Sequence, residues 1–379
     1  MLKNKIYKYL CSEIFKNFIT ILLTFSAIAW TVRAVNFLDL MIEDGYSAII
    51  YLKYSLLSFS AIVTRFVPLS LLLSLIISIT KFERQQELLI LWTVGLNKMK
   101  IVNVFFLLGF LVALFQIILS LIINPFLLNK SRALLRETQA TQMNSILKVN
   151  DFSDSFKGVT FYIDKKNSND ELINLFIKDI NGSLNTILSE VEKSNNTTVF
   201  SKKGIVVGNK LILFNGTIQT LNQNKELKNI DFKKTELSLI NFSTRTIKQP
   251  KIQETSSYIL FQCLIDKNID KDLLNCPASN NRKVVIEALS RRAGMPLYIP
   301  LISIIASFLL IYKKEKKNNF LKKYIIFILA FTFLIFAEIL LKFTGFSTIN
   351  FILYFLSPLI LIIILYSLLA KNMISERIK

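Results

Sequence analysis

The chain has 379 residues, of which 52% are hydrophobic, and its formal net charge at pH 7 is +20. So large an apolar fraction is unusual in a water-soluble domain of this size, and a membrane protein is therefore the first class to consider. The chain contains no histidine, which excludes His-containing catalytic triads and removes the commonest ligand of transition metals.

Six apolar stretches predict six transmembrane helices, because about 20 residues are needed to cross the hydrocarbon core. Three of them carry no charge, and three carry one or two. In chain order they are residues 14–37, 56–80, 101–123, 293–312, 324–343 and 343–370. We expect the first stretch to remain in the protein, because it is long and bulky for a signal peptide.

The distribution of Lys and Arg predicts the orientation of these helices. Basic segments resist translocation, and four of them fall on one side of a six-span topology: the start "MLKNKIYKYL", residues 81–100, residues 313–323 and the end "KNMISERIK". Both termini are therefore expected in the cytoplasm, with the middle of the chain outside. The charge is divided between loops and an outer domain, so nucleic acid is not an expected partner.

The polar region between the third and fourth spans predicts a separate all-β domain on the outer side. Candidate strands begin at residues 159, 171, 185, 204 and 229 and are separated by Asn- and Gly-containing turns. A small sandwich, a jelly roll or a related open β fold fits this pattern. Residues 171–180 also fit a helix on periodicity alone.

The expected fold class is thus a six-helix membrane bundle with an inserted all-β, jellyroll-like domain on the outer side. The first three spans occupy residues 1–125, the β domain residues 126–280, and an interfacial helix with the last three spans residues 281–379.

Several charged residues lie within or beside the predicted spans. Arg33 and Arg65 either reach the headgroups as long cationic side chains do, or face a cavity and bind lipid phosphate, for which the guanidinium fork is suited. Arg291 and Arg292 precede the fourth span on the outer side, where they either end an amphipathic collar helix or contact lipid headgroups.

Two further pairs follow from spacing. Glu338 and Lys342 lie four residues apart on one helical face and are predicted to form an intramembrane ion pair. Cys263 and Cys276 both lie in the outer region and form either a disulfide or two buried free thiols, whereas Cys11 lies on the cytoplasmic side.

Catalytic motifs are missing. We find neither a G-x-x-x-x-G-K-[ST] phosphate loop nor a G-x-G-x-x-G fingerprint, and no paired carboxylates within the spans. We therefore expect a non-catalytic protein without cofactor or metal, driven by a partner or a gradient.

The segment of residues 81–100 predicts a short cytoplasmic helix, near 82–95, between the second and third spans. Leu88, Leu91 and Trp92 have helical spacing, Glu83 and Glu87 supply charge, and Gly95 can end the helix in the left-handed conformation. The segment is either a plain connecting hairpin or a contact for a soluble nucleotide-binding subunit.

Local motifs then resemble a known family. They are "KYLCSEIFKNF" near the start, "PLSL" at Pro68, "QQELLILWTVGLNK" around Glu87, "INP" at Pro125 and "EALSRRAGMPLYIP" before the fourth span. Together they resemble the LptF/LptG permeases of the lipopolysaccharide exporter, over essentially the whole chain, with Arg33 in "TVRAV" similar to a basic residue of LptF.

The resemblance implies a permease subunit that pairs with a homologous permease and passes lipopolysaccharide to a periplasmic bridge protein. It implies that Glu87 lies in a coupling helix that contacts a cytoplasmic ATPase dimer, and that the first span borders a lipid gate with the fifth span of the sister subunit. Another ABC-type exporter subunit, a membrane scaffold and, last, a membrane-embedded hydrolase are the alternatives.

Overall fold

A computed structural model gives the fold of the chain. It describes residues 2–42, 46–141, 149–156, 158–167, 171–180, 196–207, 210–221, 227–238, 251–265, 282–311 and 319–378.

Along the chain, the described residues form a series of helices, then the strands of one β-sheet, then further helices. The helices are α1 (Leu2–Asn36), α2 (Asp39–Ile42), α3 (Ala48–Arg84), α4 (Glu87–Thr93), α5 (Lys98–Ile118), α6 (Asn124–Thr141), α7 (Ser257–Ile265), α8 (Arg282–Gly294), α9 (Tyr298–Ser307), α10 (Asn319–Phe343) and α11 (Thr348–Ile378). Between them lie a π-helical segment, Leu119–Ile123, and two 3-10 turns, Met295–Leu297 and Phe308–Ile311.

Among the residues that the structure describes, six helical stretches are long and apolar enough to cross a membrane, by length and composition. We number them as the first to sixth spans: Lys5–Asn36, Ala48–Arg84, Lys98–Leu135, Arg282–Ile311, Lys323–Phe343 and Thr348–Met373. They coincide with the six predicted stretches, which confirms the expectation of six apolar helices. The collar helix expected at residue 281 is α8, which is the first part of the fourth span and continues through the first 3-10 turn into α9.

Two compact units divide the chain. The first contains Met1–Val32, Ser58–Leu128 and Lys251–Lys379, and the second contains Arg33–Leu57 and Asn129–Pro250.

The first unit is built around the fourth span. In this span 78% of the most apolar window is buried, compared with 22% in the fifth and 17% in the first and sixth. Small side chains permit the close approach: a Cβ added at Gly109 of α5 would lie 2.7 Å from the Oγ atom of Ser303 in α9. The fourth span is the most buried of these spans, and its α9 packs against α5, α10 and α11.

The second unit contains a six-stranded antiparallel meander. Its strands are β1 (Phe152–Phe156), β2 (Val159–Lys166), β3 (Glu171–Asp179), β4 (Thr197–Val207), β5 (Lys210–Leu221) and β6 (Leu227–Ser238), and each pairs with the next along the chain. A β domain in the middle of the chain is confirmed, with a strand rather than a helix at residues 171–179, but the range 126–280 that was predicted to be all-β also contains most of α6 and the whole of α7. Strand β1 was not predicted, and the strand expected at residue 185 lies outside the described residues.

The strand ladders are interrupted at one level across the sheet. The strands are paired in regular register before and after Asn174, Lys202 and Asn215, but these three residues are left out of the pairings of β2 to β6. Asn174 and Asn215 have positive φ angles, 51° and 52°, which Asn tolerates better than most residues. As a result Leu172 and Leu175, three residues apart, both face the core of the sheet.

Candidate functional site

The segment between the second and third spans forms two tight turns around a short helix. Gln86 has a positive φ of 58° between α3 and α4, and Gly95 has a φ of 80° after α4. The amide of Gly95 donates to the carbonyl of Trp92, at 3.0 Å, and that of Leu96 donates to Leu91, at 3.1 Å. The turn at Gly95 requires a left-handed residue, and Gly adopts this conformation without strain.

Helix α4 has a buried side and an exposed apolar side. Leu88 is 7% exposed and belongs to the helical core, with Trp92 partly buried against the same cluster. On the outer side Leu89, Ile90 and Val94 are 48%, 57% and 71% exposed. The buried side fixes the helix on the spans, and the outer side presents apolar area to a partner.

Polar contacts hold this segment to the neighbouring spans. The hydroxyl of Tyr9 donates to the Glu87 carboxylate at 3.1 Å, and the Lys98 ammonium lies 5.5 Å from the centre of the Trp92 ring. The Lys323 ammonium lies 2.7 Å from the Glu83 carboxylate. The short helix is Glu87–Thr93 rather than the predicted 82–95, because the turn at Gln86 leaves Glu83 in the last turn of α3. The ATPase contact of Glu83, Glu87, Leu88, Trp92 and Gly95 stays a prediction.

The two arginines predicted inside spans have different surroundings. Arg33, near the end of α1, is partly exposed, and its guanidinium lies 5.4 Å from the centre of the Phe37 ring, a cation–π distance. Arg65 is exposed on α3. Binding of lipid phosphate by either residue stays a prediction.

Arg292 needs a correction, because it is buried and its donors are occupied. The side chain is 7% exposed. Its guanidinium makes five hydrogen bonds, to the carbonyls of Ile252, Gln253 and Thr255 and to the hydroxyl of Ser257, at 2.7–3.3 Å. Arg292 therefore binds the segment that returns from the β domain to the spans, and it is not free to bind a lipid headgroup.

The predicted ion pair between Glu338 and Lys342 is also wrong. The Arg291 guanidinium donates to both carboxylate oxygens of Glu338, at 3.1 and 3.0 Å, and it lies 3.8 Å from Glu287 in its own helix. Both hydrogen bonds come from the Nη1 atom of Arg291, so the carboxylate that Lys342 was expected to contact is paired with a guanidinium of α8 instead.

Cys263 is disulfide-bonded and Cys11 is free. Cys276, the predicted partner of Cys263, lies outside the described residues. Within the part of the chain that the structure describes, no group of three or more His, Cys, Asp and Glu side chains is placed to hold a metal ion.

Comparison with known families decides the identity. The family model described as Lipopolysaccharide export system permease LptF/LptG matches residues 8–372. The chain belongs to this family. The match does not separate LptF from LptG, and a search of curated proteins found no match.

In this LptF/LptG permease, the contacts that sequence reasoning missed are tertiary ones. Lys323 and Tyr9 lie far along the chain from Glu83 and Glu87, and Ser257 lies 35 residues before Arg292. The sequence does show Lys323 as a charged residue at the start of the predicted fifth span. Spacing rules, however, describe pairs within one helix, and they cannot identify a partner on another helix.

Proposed function

We propose that the chain is the membrane subunit of an ABC-type exporter that extracts lipopolysaccharide from the periplasmic leaflet of the inner membrane. It pairs with a homologous permease, contacts a cytoplasmic ATPase dimer, and passes lipid through a jellyroll-like periplasmic domain to a periplasmic bridge protein. Arg33 in "TVRAV" favours the LptF type. The subunit itself is non-catalytic, and its partner hydrolyses ATP.

The observation that carries the proposal is the form of α4. A plain connecting hairpin between two spans needs no exposed apolar ridge, and here Leu89, Ile90 and Val94 form one on a helix anchored by Leu88. Glu87 stands at the start of the same helix. An apolar ridge beside a carboxylate fits a groove on a soluble subunit that offers apolar area and a cation.

The test is the Glu87→Ala variant in the assembled complex. A partly exposed carboxylate contributes little to folding, and stability should change by under about 0.5 kcal/mol. Loss of one member of a desolvated charged contact costs about 2 to 5 kcal/mol of association. We expect normal membrane levels, with ATPase co-purification and ATP-driven lipid release both lost.

The matched control is Asp231→Ala, which removes an exposed carboxylate from β6 and should leave ATPase co-purification unchanged. If Glu87→Ala binds the ATPase and moves lipid as well as the unaltered chain, α4 is only a connection and the coupling role is refuted. If the unaltered complex moves no lipopolysaccharide, a scaffold is the better description.

A further inference from the structure

The fifth span is held by an ion pair near each end. At its start the Lys323 ammonium contacts Glu83, which lies in the last turn of α3, three residues before Gln86 in the turn that leads into α4. Near its end Glu338 accepts two hydrogen bonds from Arg291 of α8. The span thus connects the α4 segment with the helix that carries Arg292.

The first ion pair is short and partly shielded from solvent. The ammonium and carboxylate are 2.7 Å apart, and the two side chains are 27% and 28% exposed. Salt screens such a pair less than a fully exposed one. A movement of the last turn of α3 therefore changes the position that is most favourable for the start of α10.

A cavity interrupts the packing around this end of the fifth span. A cavity of about 410 Å³ is lined by both members of the pair and by side chains of the fourth, fifth and sixth spans. It lies between Ile326 and Leu329 of α10 on one side and Leu365 and Leu368 of α11 on the other. Close packing normally fixes the positions of helices. Where a cavity interrupts this packing, the ion pair contributes more to the position of α10.

We propose that the Glu83–Lys323 ion pair is the link through which movement of the α4 segment reaches the fifth span. Lys323 is then a positioning residue for lipid export, and α10 acts as a rigid rod whose far end moves α8 through Glu338 and Arg291. The residues from 323 to 338 span roughly 22 Å along a helix. The inference rests on the proposed function, because it needs an ATPase acting on α4.

The experiment uses the complete complex in lipid vesicles and measures lipid released per ATP hydrolysed. Lys323→Glu opposes Glu83 with a like charge and should lower this ratio at least about fivefold, the lower end of typical coupling between two sites. ATPase co-purification should persist, because Lys323 is outside α4. The matched control Lys371→Glu removes an exposed cation from α11 and should leave the ratio unchanged.

Rescue separates a transmission role from general damage. Adding Glu83→Lys to Lys323→Glu restores the opposite charges and should return the ratio to at least about half of its original value. A graded series provides a second measurement if a reversed charge prevents folding. Lys323→Arg keeps the ion pair and should leave the ratio of lipid released to ATP hydrolysed near its original value. Lys323→Gln removes the charge and should lower this ratio.

The outcomes are distinct. A normal ratio in both Lys323→Glu and Lys323→Gln overturns the inference, as does a double reversal that folds and binds the ATPase but is no better than Lys323→Glu alone. Absence of ATP-driven release from the unaltered complex refutes the proposed function itself. At the far end of α10, Arg291→Glu should lower the ratio, and adding Glu338→Arg should restore it. If the ratio is not restored, α10 does not act on α8 through this pair, and only the Glu83–Lys323 part of the inference stands.

Discussion

At the scale of single residues, Arg292 is the side chain whose loss should matter most for folding. Arg292→Met removes the donors of three backbone carbonyls in residues 252–255, and an unsatisfied buried acceptor costs about 1 to 3 kcal/mol. We expect the free energy of unfolding to fall by roughly 3 kcal/mol. A lower thermal unfolding midpoint of the purified protein is the measurement.

The neighbouring residue supplies the control. Arg291→Met breaks an ion pair whose side chains are both 44% exposed, and such pairs contribute at most about 1 kcal/mol. An equal drop of the midpoint in the two variants would contradict the anchoring role of Arg292.

A second prediction at this scale concerns Glu236 in β6, outside the spans. The Lys210 ammonium donates a hydrogen bond to this carboxylate at 3.2 Å and lowers the pKa of Glu236, with a smaller effect from Lys234. Because the pKa is lower in the folded state, the pair stabilises the fold above the ordinary carboxyl pKa. This contribution is lost as the pH falls through the folded pKa.

Lys210→Met should therefore raise the pKa of Glu236 towards its ordinary value, and a carboxyl-carbon NMR titration measures it. Lys233→Met, an exposed cation on the same strand, is the control and should change it less. An unaltered pKa in Lys210→Met would show that the pair does not persist in solution.

Residue chemistry was easier to predict from the sequence than residue partners. Glu338 was expected to need a cation, and it has one, but the cation comes from α8 rather than from the same helix. Arg292 was predicted to end a collar helix or to contact lipid headgroups. Its side chain instead binds a set of backbone carbonyls, and no sequence pattern indicates such a contact. Both misses are tertiary contacts, which local spacing rules do not contain.

At the scale of elements, α4 offers adjacent leucines with opposite roles. Leu88→Ala removes a buried side chain and should lower the free energy of unfolding by about 2 to 3 kcal/mol. Leu89→Ala removes an exposed side chain and should change it by under about 0.5 kcal/mol. If the ridge docks on the ATPase, Leu89→Ala should instead weaken association roughly tenfold, the equivalent of about 1.4 kcal/mol.

Thermal unfolding and ATPase titration, applied to both variants, measure the two effects. Equal association for Leu89→Ala and the unaltered chain would exclude docking through this side of α4.

The elements also show where periodicity misleads. Residues 171–180 fitted a helix as well as a strand, because Leu172 and Leu175 are three residues apart. The structure explains the spacing: the ladder is interrupted at Asn174, and the strand continues on the other phase of its pleat. A strand with such an interruption imitates helical spacing, and only the neighbouring strands reveal it.

At the scale of the whole molecule, hydropathy was sufficient for the six apolar helices, because the length needed to cross a bilayer leaves a direct record in the sequence. The centre of the bundle was not predictable in this way. The fourth span is no more apolar than the fifth, with mean hydropathy values of 2.1 and 2.6, yet it is far more buried. Burial among spans depends on small side chains such as Gly109 and Ser303 and on which helices meet.

The orientation of the whole chain leads to a further prediction. In a Cys11→Ser background, a cysteine replacing Lys228 of β6 should react with a membrane-impermeant maleimide in intact cells with a permeable outer membrane. A cysteine replacing Lys371 of α11 should react only after the inner membrane is opened. We expect this result because of the excess of Lys and Arg in the terminal and inter-span segments. The reverse labelling pattern would show that the orientation of the chain is opposite to the predicted one.

The π-helical segment Leu119–Ile123 gives the third span an unusual response to changes in length. A π turn is equivalent to one extra residue in an α-helix, and here the carbonyl of Leu121 accepts a hydrogen bond from Ser257 at 2.8 Å. Deleting one residue at this point would remove the wide turn and leave a regular α-helix, with the residues after it keeping their rotational phase. Asn124, whose amide donates to Thr64 at 2.8 Å, would then still face Thr64, whereas a deletion within the regular part of α5 would rotate Asn124 by about 100°. The third span can therefore lose a residue at this segment without a change of rotational phase, and its regular turns cannot.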